Sequence, residues 1–404
     1  MAFDLTVADL LLKEFYLPGM REVLNLGTPL FSQMRRNTDA IEGDGAILVL
    51  HTALNEGVGA RGEWDELPDA GEPEFKRATL PLKYNYGHLK LSGPSMAATR
   101  SKAGSFARAM EVSVSDLQNS LKRDLERQCF GNGFGTLCLV NGAVTNDATI
   151  VCDGGLSATD GTSRRIRRNM VLDIWNAAGT ALQAQNVKVS SVTDTATFVL
   201  TSDVTVSDGA IVTRAGVRTA SVGKEFGGLA SMVVGSGALY GMNPATAGEE
   251  FWKAHMDTAG GALDIMNMLA LVDEIEEDVG EQPGLILTTK GMIRQYFDLL
   301  TDEVRINTPL SLNGGYQAVG FYAGGKQIPM LPVYDQTKGR MDFLNMKDIQ
   351  LYEQGDFTWL DEGAGVLQKV SNVDAWHAEL ALYANIGTTR RNAHGAMTGL
   401  TEPS

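Results

Sequence analysis

Two neighbouring stretches decide how the chain is read: LPLKYNYGHLKLS, residues 80–92, and GSFARAMEVSVSDLQNSLKRDLERQ, residues 104–128. In the first, Leu80, Leu82, Tyr84 and Tyr86 alternate with Lys83 and Asn85, the period of two that marks a strand. Gly87 shifts the phase by one, and Leu89 and Leu91 resume it around Lys90, which predicts a bulge. In the second, Phe106, Met110, Val114, Leu117, Leu121 and Leu125 recur three or four residues apart, so one stripe of a helix is apolar. At about 1.5 Å per residue this helix is a rod of ~37 Å. Gly131-Asn132-Gly133 stops it, because glycine and asparagine tolerate the left-handed conformation that ends helices.

Working upstream, AILVL (46–50) reads as a strand, and the polar, glycine-rich NEGVGARGEWDELPDAGEPE (55–74) joins it to the strand at residue 80. The expectation is a long hairpin with a charged tip. A two-stranded ribbon is marginal alone, so it must lean on a neighbour. Residues 1–45 mix a short helical pattern with turns at Leu17-Pro18-Gly19 and Gly27-Thr28-Pro29, and read as an arm rather than a core.

Downstream, residues 141–216 turn to Val, Thr, Ser, Asp and Gly, with ATIVC (148–152), MVLDIW (170–175), NVKVSSV (186–192), ATFVL (196–200) and AIVTRAG (210–216) as short strands. This predicts a small β-barrel or sandwich. A mixed α/β segment follows. EEFWKAHM (249–256), ALDIMNMLALVDEIEEDV (262–279) and GMIRQYFDLL (291–300) read as helices. LILTT (285–289), QAVGFY (317–322), KQIPMLPV (326–333), MDFLN (341–345) and WHAELALYANIGT (376–388) read as strands.

A chain of 404 residues exceeds one core, so two or three packing units are expected. With 34 Lys+Arg against 49 Asp+Glu, a net charge of -15 opposes general binding to nucleic acid. Cys129, Cys138 and Cys152 match neither a zinc site nor a redox pair and read as reduced, buried residues. No apolar run reaches the ~20 residues that span a bilayer. Met1 to Leu12 carries acids where a signal peptide carries base, so a soluble protein made in a cytoplasm, with both termini docked, is expected.

Candidate chemistry is sparse. Gly131 to Gly135 follows a helix instead of opening one, so it reads as a helix cap and turn rather than a phosphate cradle. Gly324-Gly325-Lys326-Gln327 reads as a turn between strands. His51, His88, His255, His377 and His394 are scattered singly, and Glu274, Glu276, Glu277 and Asp278, like Glu63, Asp65 and Glu66, read as solvated acids. No G-x-S-x-G elbow occurs. The expectation is therefore no catalytic, cofactor or metal site. The basic run Arg164-Arg165-Ile166-Arg167-Arg168 is expected to meet carboxylates within the β-unit or on a neighbouring subunit. Trp64, at the tip of a charged ribbon, is either folded back or inserted into a partner.

Arm, hairpin, long helix and mixed α/β unit, in that order, resemble the major capsid proteins of tailed bacteriophages, the Hong Kong 97 fold. CFGNGFGTLCLVNG (129–142), YGMNPATAGEEFWKAHMDTAGG (240–261) and ELALYANIGTTRRNAHGAMTGL (379–400) carry the resemblance further. It implies an α+β chain with an N-terminal arm (1–45) and an E-loop hairpin (46–93). A spine helix with the start of the peripheral P-domain (94–140) comes next. An inserted β-domain (141–216), an axial A-domain with P-domain segments (217–375) and a closing P-domain strand and tail (376–404) complete it. It further implies a virion protein, assembled in a bacterial cytoplasm, that forms hexamers and pentamers of itself. Portal and separate scaffolding or decoration proteins would be partners, DNA would be contacted weakly, and no membrane would be involved. Since the hairpin begins so near Met1, no built-in scaffolding segment is expected.

Subunit contacts are then expected at Arg61, Glu63, Trp64, Asp65, Glu66, Lys76 and Arg77 of the E-loop, and at Arg164, Arg165, Arg167 and Arg168 of the inserted domain. Some relatives cross-link a lysine to an asparagine; Lys76, Lys83, Lys90, Asn385 and Asn392 supply the residue types without a motif that selects a pair, so non-covalent contacts are expected. The alternative is a carbohydrate-binding or carbohydrate-active protein, which requires a compact monomer, a concave acidic site and a short, packed hairpin.

Overall fold

A computed structural model describes residues 29–39, 41–43, 45–93, 103–153, 163–301, 310–311, 317–360 and 367–402. The expected docking of both termini and most of the arm lie outside these residues, as do the side chains of Phe106 and Met110. Strands β1 (Arg35–Asn37), β2 (Ile41–Glu42), β3 (Gly45–Ala53), β4 (Glu74–Pro81) and β5 (Lys83–Ser92) precede helix α1 (Ala103–Cys129). Next come β6 (Thr136–Leu139), β7 (Val144–Val151), β8 (Val171–Trp175), β9 (Leu182–Val192), β10 (Thr197–Val206) and β11 (Ile211–Arg214). A single turn, α2 (Leu229–Met232), leads to β12 (His255–Asp257), α3 (Ile265–Val279), β13 (Leu285–Thr288) and α4 (Lys290–Thr301). The chain then runs through β14 (Leu310–Ser311), β15 (Gln317–Ala323), β16 (Lys326–Pro332), β17 (Met341–Leu344) and β18 (Ile349–Glu353). It ends with β19 (Thr358–Trp359), β20 (Gln368–Lys369), β21 (Ala375–Thr388) and β22 (Gly395–Met397).

The hairpin differs from its expectation. β3 pairs with β4, from Gly45↔Pro81 to Ala53↔Glu74. The stretch read as one strand breaks at Leu82, and β5 leaves the ribbon to pair with β21, from Lys83↔Ala384 to Ser92↔Ala375. That register has no irregularity, so Gly87 is not a bulge. A Cβ on Gly87 would stand 3.2 Å from Leu117 Cδ1, and glycine is there because helix α1 crosses the strand at that point. The change of phase falls at Leu82, where the chain changes sheets. Ala78, Leu80 and Leu82 face inward before it, Asn85 and Gly87 after it, and Tyr84 and Tyr86 therefore face outward.

The sheet built on β21 carries β18, with β1 beyond it, and pairs β21 also with β19, β20 and β5. Its inner face packs on Val114, Leu121 and Leu125 of α1 in one continuous core. The last turns of α1 spread polar side chains to four different elements. Asp124 pairs with Arg214 of β11 at 3.0 Å, and Glu126 accepts hydrogen bonds from Leu30 N and Phe31 N at 3.2 and 3.3 Å. Arg127 donates to Glu225 Oε1 at 2.5 Å, while Gln128 donates to Asn85 Oδ1 at 2.9 Å and accepts from Phe226 N at 3.2 Å. Burial alone would raise the Asp124 carboxyl, but Arg127 and Arg214 beside it hold it below the ordinary range.

Six strands, in the order β6-β11-β8-β9-β10-β7, form a separate sheet over its own core. The first and last strands meet: Val140 bridges Cys152, Asn141 N donates to Val151 O at 2.9 Å, and Asp153 N donates to Leu139 O at 2.8 Å. Among the described residues the sheet thereby curls round on itself as a small barrel. Its first strand, Thr136–Leu139, lies before the boundary at residue 141 read from composition, because its partner β11 stands far along the chain and composition does not reveal that pairing.

A seven-stranded sheet, β12-β22-β17-β13-β16-β15-β14, takes α3 and α4 on its faces. Asp264 caps α3 by accepting from Met266 N, and Gly280, at φ 76°, ends it. Gly324 and Gly325, with φ of 52° and 81°, form the turn between β15 and β16 as expected. EEFWKAHM is not helical. Trp252 is buried with Nε1 donating to Leu239 O at 3.0 Å, and its carbonyl turns toward Arg391. The Arg391 guanidinium, 1% exposed, donates to the carbonyls of Met232, Gly237, Trp252, Ser231 and Ser236 at 2.9–3.4 Å. One rigid donor fork thus organises a segment with little regular structure. Arg391→Lys is expected to destabilise the chain by about 2–4 kcal/mol, since an ammonium has three donors and leaves buried carbonyls unmade; the urea unfolding midpoint measures it.

His394, fully buried, accepts from Asn345 N at Nδ1 and meets Thr388 Oγ1 at 2.8 Å through Nε2. Thr388 Oγ1 donates onward to Arg390 O, so Nε2 carries the proton and the ring is neutral. Burial pushes its pKa down to about 4. The stability this contributes is full above the ordinary histidine value and is lost as pH falls toward 4, with a slope on the order of 1 kcal/mol per pH unit. Thermal midpoints followed through that window, in wild type and His394→Gln, check it: the variant's slope should be shallower.

Candidate assembly surface

The ribbon β3–β4 is anchored on one side only. Ala46, Leu48, Ala78 and Leu80 are buried, whereas Val49 and Phe75 face outward, with His51 stacked on Phe75 at 4.9 Å. Beyond them, residues 54–73 extend with six acids, Glu56, Glu63, Asp65, Glu66, Asp69 and Glu72, against one base, Arg61. The two limbs touch through glycines, since a Cβ on Gly57 would lie 2.7 Å from Gly71 N. At the tip, Gly62 N donates to Asp65 Oδ2 at 2.7 Å, and Arg61 Nε donates to Glu66 O at 2.9 Å. Arg61 and Asp65 thus shape the tip, and what they present is Trp64, 92% exposed.

Trp64 does not fold back onto its own chain. Leu54, Val58 and Leu67 of the same loop are also exposed, and none of the three was singled out from the sequence. The signal was there: apolar side chains spaced through a Gly-, Pro- and acid-rich stretch have no core to join. A second exposed cluster, also missed, lies on the outer face of β5 and β21, where Tyr84 and Tyr86 pack edge-on against Tyr383 at 5.4 and 6.1 Å. Glu63, Glu66 and Arg77 are exposed as an external contact requires.

Five of the expected contact residues are engaged within the chain, Arg61 and Asp65 at the tip and three more. Lys76 Nζ meets Glu249 Oε1 at 3.0 Å and fastens the ribbon to the 243–252 segment. Arg165, 6% exposed, donates to Asp335 O, and Arg164 donates to Gln336 O while lying over the Tyr334 ring. These two arginines clamp the barrel to the chain's own 333–337 segment, a long-range contact that local sequence does not reveal. Arg167 and Arg168 are exposed. Of the cross-linking candidates, Asn385 is buried, with Nδ2 donating to Pro81 O at 2.7 Å and Oδ1 accepting from Gly227 N at 3.0 Å. Lys83 Nζ donates to Gly223 O, and burial lowers its pKa.

Among the described residues, His255 Nε2 lies 3.2 Å from Asp278 Oδ2, and no group of three His, Cys, Asp or Glu side chains is arranged to hold a metal. No helix among them is long and apolar enough to cross a membrane.

No family model and no curated protein matches the sequence. The fold does match solved structures. A chain of the cyanophage A-1(L) capsid asymmetric unit is 13% identical, with 93% of this chain and 94% of that chain covered and a TM-score of 0.57. A Mycobacterium phage Patience chain is 10% identical over 96% of this chain and 87% of that one, with a TM-score of 0.46. A chain of the holo-SrpI encapsulin complex from Synechococcus elongatus PCC 7942 is 9% identical over 93% and 90%, with a TM-score of 0.43. The chain thus has the mixed α/β fold of a bacteriophage capsid protein. Replacing Trp64 and Arg61 together by alanine is expected to abolish or weaken self-association, seen by light scattering, while shifting the monomer's stability by less than about 0.5 kcal/mol. An equal loss of monomer stability would mean that the tip packs on its own chain.

Proposed function

We propose that the chain is the shell-forming subunit of a tailed-bacteriophage head, a major capsid protein that assembles with copies of itself as hexamers and pentamers around packaged DNA. The observation that carries this reading is the 54–73 loop: a capsid-type fold holds out a shaped, acidic tip with Trp64, Leu54, Val58 and Leu67 exposed. Such a surface is costly to a monomer and useful to a repeated contact. In the terms of the Hong Kong 97 fold, residues 46–81 are the E-loop and α1 is the spine helix. The sheet around β21 belongs to the P-domain, and the seven-stranded sheet with α3 and α4 is the A-domain. The barrel of β6–β11 is an insertion into that frame, with Arg167 and Arg168 as its outward basic pair.

The role is structural rather than enzymatic, exercised in the virion after assembly in the host cytoplasm, with portal and separate scaffolding or decoration proteins as partners and weak contact with DNA. Subunit contacts are non-covalent in this reading, since the buried Asn385 amide is engaged inside its own chain. The carbohydrate-binding alternative calls for a short, packed hairpin, and the loop is long and exposed. Electron microscopy of the purified chain tests the proposal: closed shells or capsomer rings are expected, and dispersed monomers at high concentration overturn it. Denaturing gels of the shells should show a single band of the chain's own mass.

A further inference from the structure

Glu126 is a carboxyl enclosed by protein, 4% exposed, whose two oxygens accept from consecutive backbone amides of the segment before β1. That segment adds Leu30, Phe31 and Met34 to the core beside it. The charged groups around Glu126 come from three elements. Lys122 and Arg127 share its helix, and Cys129 lies one position beyond a half-turn away. Asp335 approaches from the segment between β16 and β17, and the barrel's Arg164, Arg165 and Arg167 face Asp335. Arg127 is committed to Asp124 and Glu225, and Arg165 to the Asp335 carbonyl. The segment it holds offers only amides.

We propose that Glu126 is a proton-operated clasp: protonated, it fastens residues 29–34 to the helix, and as it loses its proton the hold on the segment loosens and the segment opens more often. Either oxygen of a carboxylic acid still accepts a hydrogen bond, so the neutral group can hold both amides, whereas an ionised one buried beside Asp335 is costly. Burial pushes the Glu126 carboxyl up to about 8, with Asp335 adding to it and the amides of Leu30 and Phe31 and Lys122 opposing. With the segment released, the carboxyl on the helix meets water and returns to its ordinary value of 4.5. The closed form therefore keeps a proton that the open form gives up. The hold is full below the ordinary value, weakens by up to about tenfold per pH unit above it, and levels off beyond about pH 8.

What then remains to hold the segment is the burial of Leu30, Phe31 and Met34, the three-residue pairing of β1 with β18 and the ion pairs of Arg36 with Glu353 and Asp356 at 3.3 and 2.8 Å. The clasp is a property of the single chain and stands whether or not the chain forms shells.

Hydrogen exchange of the full-length, unassembled chain tests it, from about pH 5 to about pH 9 with each rate normalised to its intrinsic value. Wild type is expected to lose protection in residues 29–34 by up to about tenfold per pH unit up to about pH 8, with residues 375–388 unchanged. Glu126→Gln, neutral throughout, should show no slope. A level wild-type profile, protection lost on acidification instead, or an equal slope in the variant each overturns the proposal. Should the variant not fold, infrared titration of wild type decides: absorption from a protonated carboxyl that persists at about pH 6.5 and disappears through about pH 8 is required, and its absence at the lower value rejects the clasp.

Discussion

The last turns of helix α1 are the point on which the architecture depends. Successive helical residues point about 100° apart, so a short run can address elements on every side. Asp124 reaches the barrel, Glu126 the segment before β1, Arg127 the Glu225 loop and Gln128 both β5 and Phe226. Leu121 and Leu125, on the remaining side, hold the core. Glu126, Arg127 and Gln128 are buried and Asp124 is half-buried, and breaking one of the buried contacts leaves a partner without solvent or hydrogen bond, which is far costlier than losing an exposed ion pair. The helix thereby fixes the mutual placement of parts whose sequences have nothing else in common.

Arg391 plays the corresponding part for the irregular stretch around residues 229–254. Where a strand or helix satisfies its own carbonyls, this stretch hands five of them to one guanidinium. Together the two sites explain how a chain with so much turn and loop is nonetheless specific: loops are ordered by buried polar donors rather than by repeating backbone ladders.

How much was legible in the sequence follows from the range of the interactions involved. The helix 104–128, the alternation of 376–388 and the glycine turn at 324–325 are set by neighbours three or four residues away, and they appear in the structure within a residue or two. The error at Gly87 has a different origin. Alternation fixes which residues share a face, but a glycine that admits a crossing helix and a glycine that marks a bulge look alike until Leu117 is seen above it. EEFWKAHM failed for a related reason: its apolar spacing suits a helix, yet the carbonyl of Trp252 is wanted by a residue far along the chain. At the candidate surface, Trp64 was visible because a tryptophan among acids is conspicuous. The self-binding of Arg61, Lys76, Arg164 and Arg165 was not, since long basic side chains give no hint of which acceptor they find.

The break at Leu82 has a consequence for how such chains can drift. On one side of it the ribbon ends in an extended loop whose length touches no core, so residues can be gained or lost there at small cost. On the other, β5 lies in fixed register along β21 and must show Gly87 to the helix. Removing one residue at this joint would rotate the whole strand by half a turn, sending Tyr84 and Tyr86 into the core and Asn85 out of reach of Gln128. Chain length is conserved by geometry at that joint even where the identity of the residues is free to wander.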